Sequence, residues 1–177
     1  MKIKNLIITS ITLFALNFLS AQTSIPENIT QKTIHDILEG NQNHIVQLAE
    51  AFTEDQYDWK PMDGVDSVGE AILHVTSTNY AIGLRLGFAP PEEVKVMKIS
   101  KIKGKENIIN ALKKSNEFIK KTILKVESKN LNNEIDLGFA KMSTLSGLLI
   151  IMEHNGEHKG QLIAYARSNN ITPPWSK

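Results

Sequence analysis

The chain has 177 residues, carries 20 Lys and Arg against 19 Asp and Glu for a formal charge of +1, and contains no cysteine. The missing cysteine excludes disulfides, thiolate metal ligands, a thiol nucleophile and a lipidated amino-terminal Cys. Near-neutrality removes any global electrostatic case for nucleic acid or an anionic membrane, which leaves a small molecule, an ion or a protein as the partner.

The first element in chain order is a leader. Lys2 and Lys4 precede an uncharged run from Leu6 to Leu19, which ends in the small residues Ser20 and Ala21. This is the layout of a secretory signal peptide, and the run falls short of the roughly 20 apolar residues that a spanning helix needs. Cleavage after Ala21 and a periplasmic or secreted protein are therefore expected. Removing 21 of the 177 residues leaves 156, enough for one domain over residues 22–177, and the loss of Lys2 and Lys4 turns the formal charge from +1 to −1.

The rest of the chain shows no internal repeat and no low-complexity tract, and four stretches have helical periodicity. The first runs from about Glu27 to Phe52, with Ile34, Ile37, Leu38, Ile45, Leu48, Ala49 and Phe52 as its apolar stripe. After it, "TEDQ" (Thr53 to Gln56) has capping-box spacing and predicts a short extra turn. The second helix starts at "SVGE", where Ser67 at the N-cap and Glu70 three positions on can satisfy each other's backbone donors. Val68, Ala71, Ile72, Val75 and Ile82 form its apolar side, Gly87 is placed to end it, and Pro90 and Pro91 forbid its continuation. "EEVKVMKISK" reads as a long surface connection. The third helix, Lys105 to Ser128, buries Ile108, Leu112, Ile119, Ile123 and Val126 and turns Lys113, Lys114, Lys120, Lys121 and Lys125 largely to solvent. The fourth begins near Ser143 and ends near Ser168, with Asn169 or Asn170 for its C-cap and "PPW" beyond. With no strong strand signal, the expected fold is all-α, a four-helix bundle with long inter-helix loops.

Two histidines stand four positions apart in the last helix, in "HNGEHKGQL" (His154 to Leu162). Residues so spaced share a face, with Cβ atoms about 5 to 6 Å apart, so both imidazoles can reach one ion at about 2.0 to 2.1 Å. They lie on the line Ile151, His154, His158, Gln161, Tyr165, which continues the inward stripe. A buried imidazole must be hydrogen-bonded or ligated to offset its lost hydration, and a shared cation satisfies both. His74, at the edge of the second helix's apolar side, can complete a facial set of three that keeps a coordination position open. The bland alternatives are a core His74 donating to a carbonyl and a solvent-facing pair on a rotated fourth helix. His44 is a further possible ligand, and His35 is expected to be exposed. Glu153 and Glu157 flank the pair and are weak candidates to accept a proton, while Gln161 and Asn79 are candidates to orient an imidazole. Trp59 and Trp175 read as packing aromatics at the bundle ends, with substrate stacking by Trp59 as the alternative.

Together, "WKP" (Trp59 to Pro61), "SVGEAILHV" (Ser67 to Val75), "HNGEHKGQL" and the terminal "PPW" (Pro173 to Trp175) resemble the DinB-like (DinB/YfiT-like) superfamily of metal-dependent four-helix bundles. The resemblance covers about Glu27 to Ser176. It implies an up-down-down-up bundle and a divalent metal, zinc or nickel, on the matching positions His74, His154 and His158. It also implies a small-molecule substrate, a hydrolase or transferase reaction in some relatives, and frequent dimerisation. The export signal separates this chain from cytoplasmic relatives that work with intracellular thiols. A non-catalytic metal-binding or interaction bundle is the alternative.

Overall fold

The computed structural model describes residues 27–176, so the apolar leader and the expected cleavage at Ala21 lie outside the described residues. Four α-helices account for most of what is described: α1 (Ile29–Ala51), α2 (Val68–Arg85), α3 (Lys105–Lys125) and α4 (Thr144–Ser168). No helix among the described residues is long and apolar enough to cross a membrane.

The boundaries follow from local chemistry. The Ser67 hydroxyl accepts from the Glu70 amide while the Glu70 carboxylate accepts from the Ser67 amide at 2.8 Å, so the expected capping box is complete. At the other end of α2, Gly87 has φ +92°. The Phe88 amide donates back to the Gly83 carbonyl at 3.0 Å, which closes the helix as a Schellman turn. Ser143 caps α4 by accepting from the Ser146 amide. The box expected at Thr53 forms by half: Gln56 Oε1 accepts from the Thr53 amide at 2.9 Å, and the short 3-10 turn Asp55–Asp58 follows.

Two apolar clusters set the directions of the helices. Along α1, Ile34 and Leu38 belong to one cluster and Ile45, Leu48 and Ala49 to the other; α4 runs the same way, from Leu148 and Ile151 to Leu162 and Ala166. Helices α2 and α3 run oppositely, from Ala71 to Ile82 and from Ile108 to Ile123. The bundle is thus up-down-down-up. Each helix packs on two neighbours in the ring order α1, α4, α2, α3, while α1 and α2 scarcely touch. A polar layer, Gln42, Asn79, Ser115, Asn116 and Asn155, lies buried between the two clusters. Within it the Asn79 amide donates to Ser115 at 3.0 Å and Asn116 at 2.9 Å, and Asn155 donates to Asn79 at 3.3 Å.

Several expectations need correction. The domain is not purely helical: Glu134–Asp136 (β1) and Lys141–Ser143 (β2) pair antiparallel, and Ile135, Leu137 and Met142 pack this hairpin on one apolar cluster. Three-residue strands are too short for alternation to be seen, and the tight turn depends on Gly138 at φ +90°. The connection at "EEVKVMKISK" is not all surface, since Val96–Lys101 forms a 3-10 helix that buries Ile99. Helix α3 stops at Lys125 rather than Ser128. Ile37 is 49% exposed, one residue and so about 100° away from the buried Leu38. Part of the lysine face is spent on packing: Lys113 pairs with Glu50 and Lys120 with Glu39, both at 2.7 Å.

Candidate metal centre

The antiparallel contact of α2 with α4 brings the three expected histidines together. One ring nitrogen from each of His74, His154 and His158 lies within 4.8 Å of the other two. His74 Nε2 and His154 Nε2 are 3.0 Å apart. The ring centroids stand 5.0 Å apart for His74 and His154, 4.9 Å for His74 and His158, and 4.4 Å for His154 and His158. Nitrogens bound tetrahedrally at about 2.0 to 2.1 Å stand roughly 3.3 Å from one another, so these rings need only small adjustments to share a cation.

The electrostatics favour uncharged ligands. Burial, followed by the neighbouring His158 and His74, pushes the His154 imidazole down to about 4. His74 is also lowered, chiefly by burial and then by His158, while the carboxylates of Asp66 and Glu157 oppose the shift. Neutral rings are the form that ligates. His154 Nδ1 is buried without a hydrogen-bond partner among the described residues, and its Nε2 faces another imidazole nitrogen. Two adjacent neutral imidazoles satisfy each other with at most one proton, whereas a cation engages both lone pairs. The donor set, three borderline nitrogens without sulfur, suits a divalent transition-metal ion. The group fits the residues present.

Exposure decides where a ligand could approach. His74 is exposed and His154 and His158 are partly buried, so the cluster opens on the α2 side. A cavity of about 270 Å³ adjoins it, lined by Asp66, Glu70, Leu73, His74, Ser77 and Ser100. Three larger cavities do not reach the histidines: two, about 610 and 570 Å³, lie between α3 and the connection after α2, and one of about 590 Å³ lies at the carboxy-terminal end of α3.

The other candidates are distributed as follows. His44 is not part of the cluster: its ring stacks on Trp175 with centroids 3.9 Å apart and planes 15° apart. His35 is not exposed as expected, since only 18% of its side chain is accessible and Nδ1 lies 3.0 Å from Asp36. Trp59 packs edge-on to Tyr165 at 5.3 Å. Glu153 and Glu157 are exposed and lie outside the group of potential ligands, although Glu157 is near enough for its charge to act on His74. Asn79 does not orient an imidazole; it belongs to the buried polar layer. Gln161 does: its Oε1 is 2.7 Å from His158 Nδ1, and its Nε2 is 2.9 Å from the Tyr165 hydroxyl. That hydroxyl donates to the Asp66 carbonyl at 2.9 Å. Asp66 went unremarked in the sequence because it precedes α2 and carries no periodic signal. Its only visible cue was its place just before the capping box.

A bundle of this topology with three histidines shared between its second and last helices is a DinB-type domain. The chain belongs to the DinB family, whose model matches residues 27–177. A DinB-like protein from Bacillus cereus ATCC 10987 superposes with a TM-score of 0.70 at 16% identity, covering 85% of this chain and 98% of that one. A DinB-like protein from Bacillus subtilis superposes with a TM-score of 0.63 at 22% identity, covering 79% of this chain and 93% of that one. At these identities the two structures establish the shared fold. No curated protein matches the chain.

Proposed function

We propose that this chain is an exported DinB-family metalloprotein in which His74, His154 and His158 hold one divalent cation, zinc or nickel. The observation that carries the reading is the approach of three ring nitrogens to within 4.8 Å across two helices. Three protein ligands leave coordination open, and His74 is also one of the residues lining the 270 Å³ cavity. Its size and its hydroxyl and carboxylate lining suit a small polar molecule. Bound there, the cation would lower the pKa of a coordinated water to about 7 or polarise a substrate oxygen, which supports hydrolysis or group transfer. The chain's own residues supply the rest: Gln161 orients His158, Ser77 and Ser100 offer hydrogen bonds to a substrate, and Asp66 and Glu157 place negative charge beside His74. Export is supported by the leader, with its two lysines, apolar run and small-residue ending.

The test is metal content and affinity by elemental analysis and titration calorimetry, for the wild type and His158→Ala. One equivalent of zinc or nickel in the wild type and loss in the variant is the expected result; equal uptake by both removes His158 from the site. Turnover is then sought with the metal-loaded protein on small esters, amides and phosphoesters. The second reading is a binding module without turnover. It is favoured by the composition of the ligand group, which among the described residues is histidine alone, with Glu153 and Glu157 exposed and outside it.

A further inference from the structure

We infer that a directed hydrogen-bond chain, running from the backbone before α2 through Tyr165 and Gln161, holds His158 in the tautomer that carries its proton on Nδ1. Gln161 and Tyr165 are then positioning residues for Nε2, the nitrogen left with a lone pair. The inference rests on the reading of His158 as a metal ligand only for its effect on affinity; the tautomer itself is a property of the metal-free protein.

The direction of the chain is forced from its far end. The Asp66 carbonyl can only accept, so the Tyr165 hydroxyl, 2.9 Å away, must give it its single proton. The Tyr165 oxygen is then free only to accept, and the Gln161 group facing it at 2.9 Å must be the amide nitrogen. With Nε2 committed to Tyr165, the Gln161 oxygen faces His158 Nδ1 at 2.7 Å, and the hydrogen there must come from the imidazole. The opposite amide orientation would set two proton-free oxygens against each other at the Tyr165 end. A neutral imidazole has one lone pair on nitrogen, so a proton fixed on Nδ1 decides which atom can ligate.

The surroundings protect this polarity. Tyr165 is 7% exposed, and the Trp59 ring packs edge-on to it with centroids 5.3 Å apart. The chain also ties α4, which carries His154 and His158, to the residue just before Ser67, the N-cap of the helix that carries His74. The Tyr165–Asp66 bond thus links the two ligand-bearing helices, and the two bonds within α4 carry that link to His158.

The experiment uses 15N-labelled, metal-free protein at pH 7.5, with the histidine tautomers read from long-range 1H–15N correlations, and zinc affinity measured by calorimetry on the same samples. The wild type is expected to show His158 as the Nδ1–H form alone. Tyr165→Phe removes one oxygen outside the histidine group and keeps the ring; it is expected to produce a mixture of tautomers. Gln161→Leu is expected to lose the preference and to weaken zinc binding about 10- to 100-fold, the range for loss of an outer partner of a ligating histidine. Gln161→Glu keeps an acceptor facing Nδ1, with the Tyr165 hydroxyl turning its proton from the Asp66 carbonyl to the second carboxylate oxygen, and is expected to restore both. An Nε2–H tautomer in the wild type, or a tautomer ratio untouched by Tyr165→Phe and Gln161→Leu, overturns the inference even if zinc binds. The predicted tautomer pattern in a protein that takes up neither zinc nor nickel upholds the chain and defeats the metal reading instead.

Discussion

Acidifying the metal-free protein tests whether His154 is a buried, uncharged imidazole awaiting a ligand. An unfolded histidine titrates at about 6.5, and in the folded chain burial pushes His154 down to about 4. Between these values the unfolded chain binds a proton that the folded one does not. Stability therefore falls as pH drops through that window, by at most about 1.4 kcal/mol per pH unit for one group, and levels off below it. From pH 6.5 to 5 the ceiling is about 2 kcal/mol; partial exposure of the ring screens the effect, and about 1 kcal/mol is the expected loss. His74 and His44 are lowered by burial too and contribute in the same window. Hydrogen bonds hold the carboxyls of Asp36, Glu39 and Glu70 below their usual range, and because these groups are common to wild type and variant their contribution cancels in the comparison. The measurement is the guanidinium midpoint at pH 7 and pH 5 for the wild type and His154→Gln, each protein serving as its own reference. The wild type should lose about 1 kcal/mol more than the variant. Equal losses would show that His154 is solvated when metal-free and would refute the burial on which the site's electrostatics depend.

Three further outcomes are expected. Zinc or nickel at about 100 times its dissociation constant should stabilise the native state by about 2.7 kcal/mol, raising Tm by roughly 5 to 10 °C, and this shift should vanish in His154→Ala. Gly83→Ala should destabilise the fold by about 1 to 3 kcal/mol in chemical denaturation, because a Cβ there would stand 2.3 Å from Phe118 Cε1. The double variant with Phe118→Leu should recover part of that loss. Ser67→Ala, which leaves the Glu70 amide without its capping acceptor, should cost about 0.5 to 2 kcal/mol by the same assay.

Much of this architecture was already decided by local rules. Helical periodicity, the Ser67–Glu70 box and the glycine at position 87 act over a few residues, and the four helices appear where those signals stand. The line through His154, His158, Gln161 and Tyr165 is likewise a consequence of 3.6 residues per turn, and so was available from spacing alone. What periodicity could not supply is which helices are neighbours. The long connections leave that open, and it is settled by the matching of two apolar clusters on either side of a polar layer, an interaction among residues scores of positions apart. Only that packing sets α2 beside α4 and brings His74 within 3.0 Å of His154, and it leaves His44 stacked on Trp175 instead. Asp66 and the β1–β2 hairpin stayed hidden for the same reason. A backbone carbonyl has no side-chain identity to mark it, and strands of three residues gain their stability from the cluster they cover rather than from their own sequence.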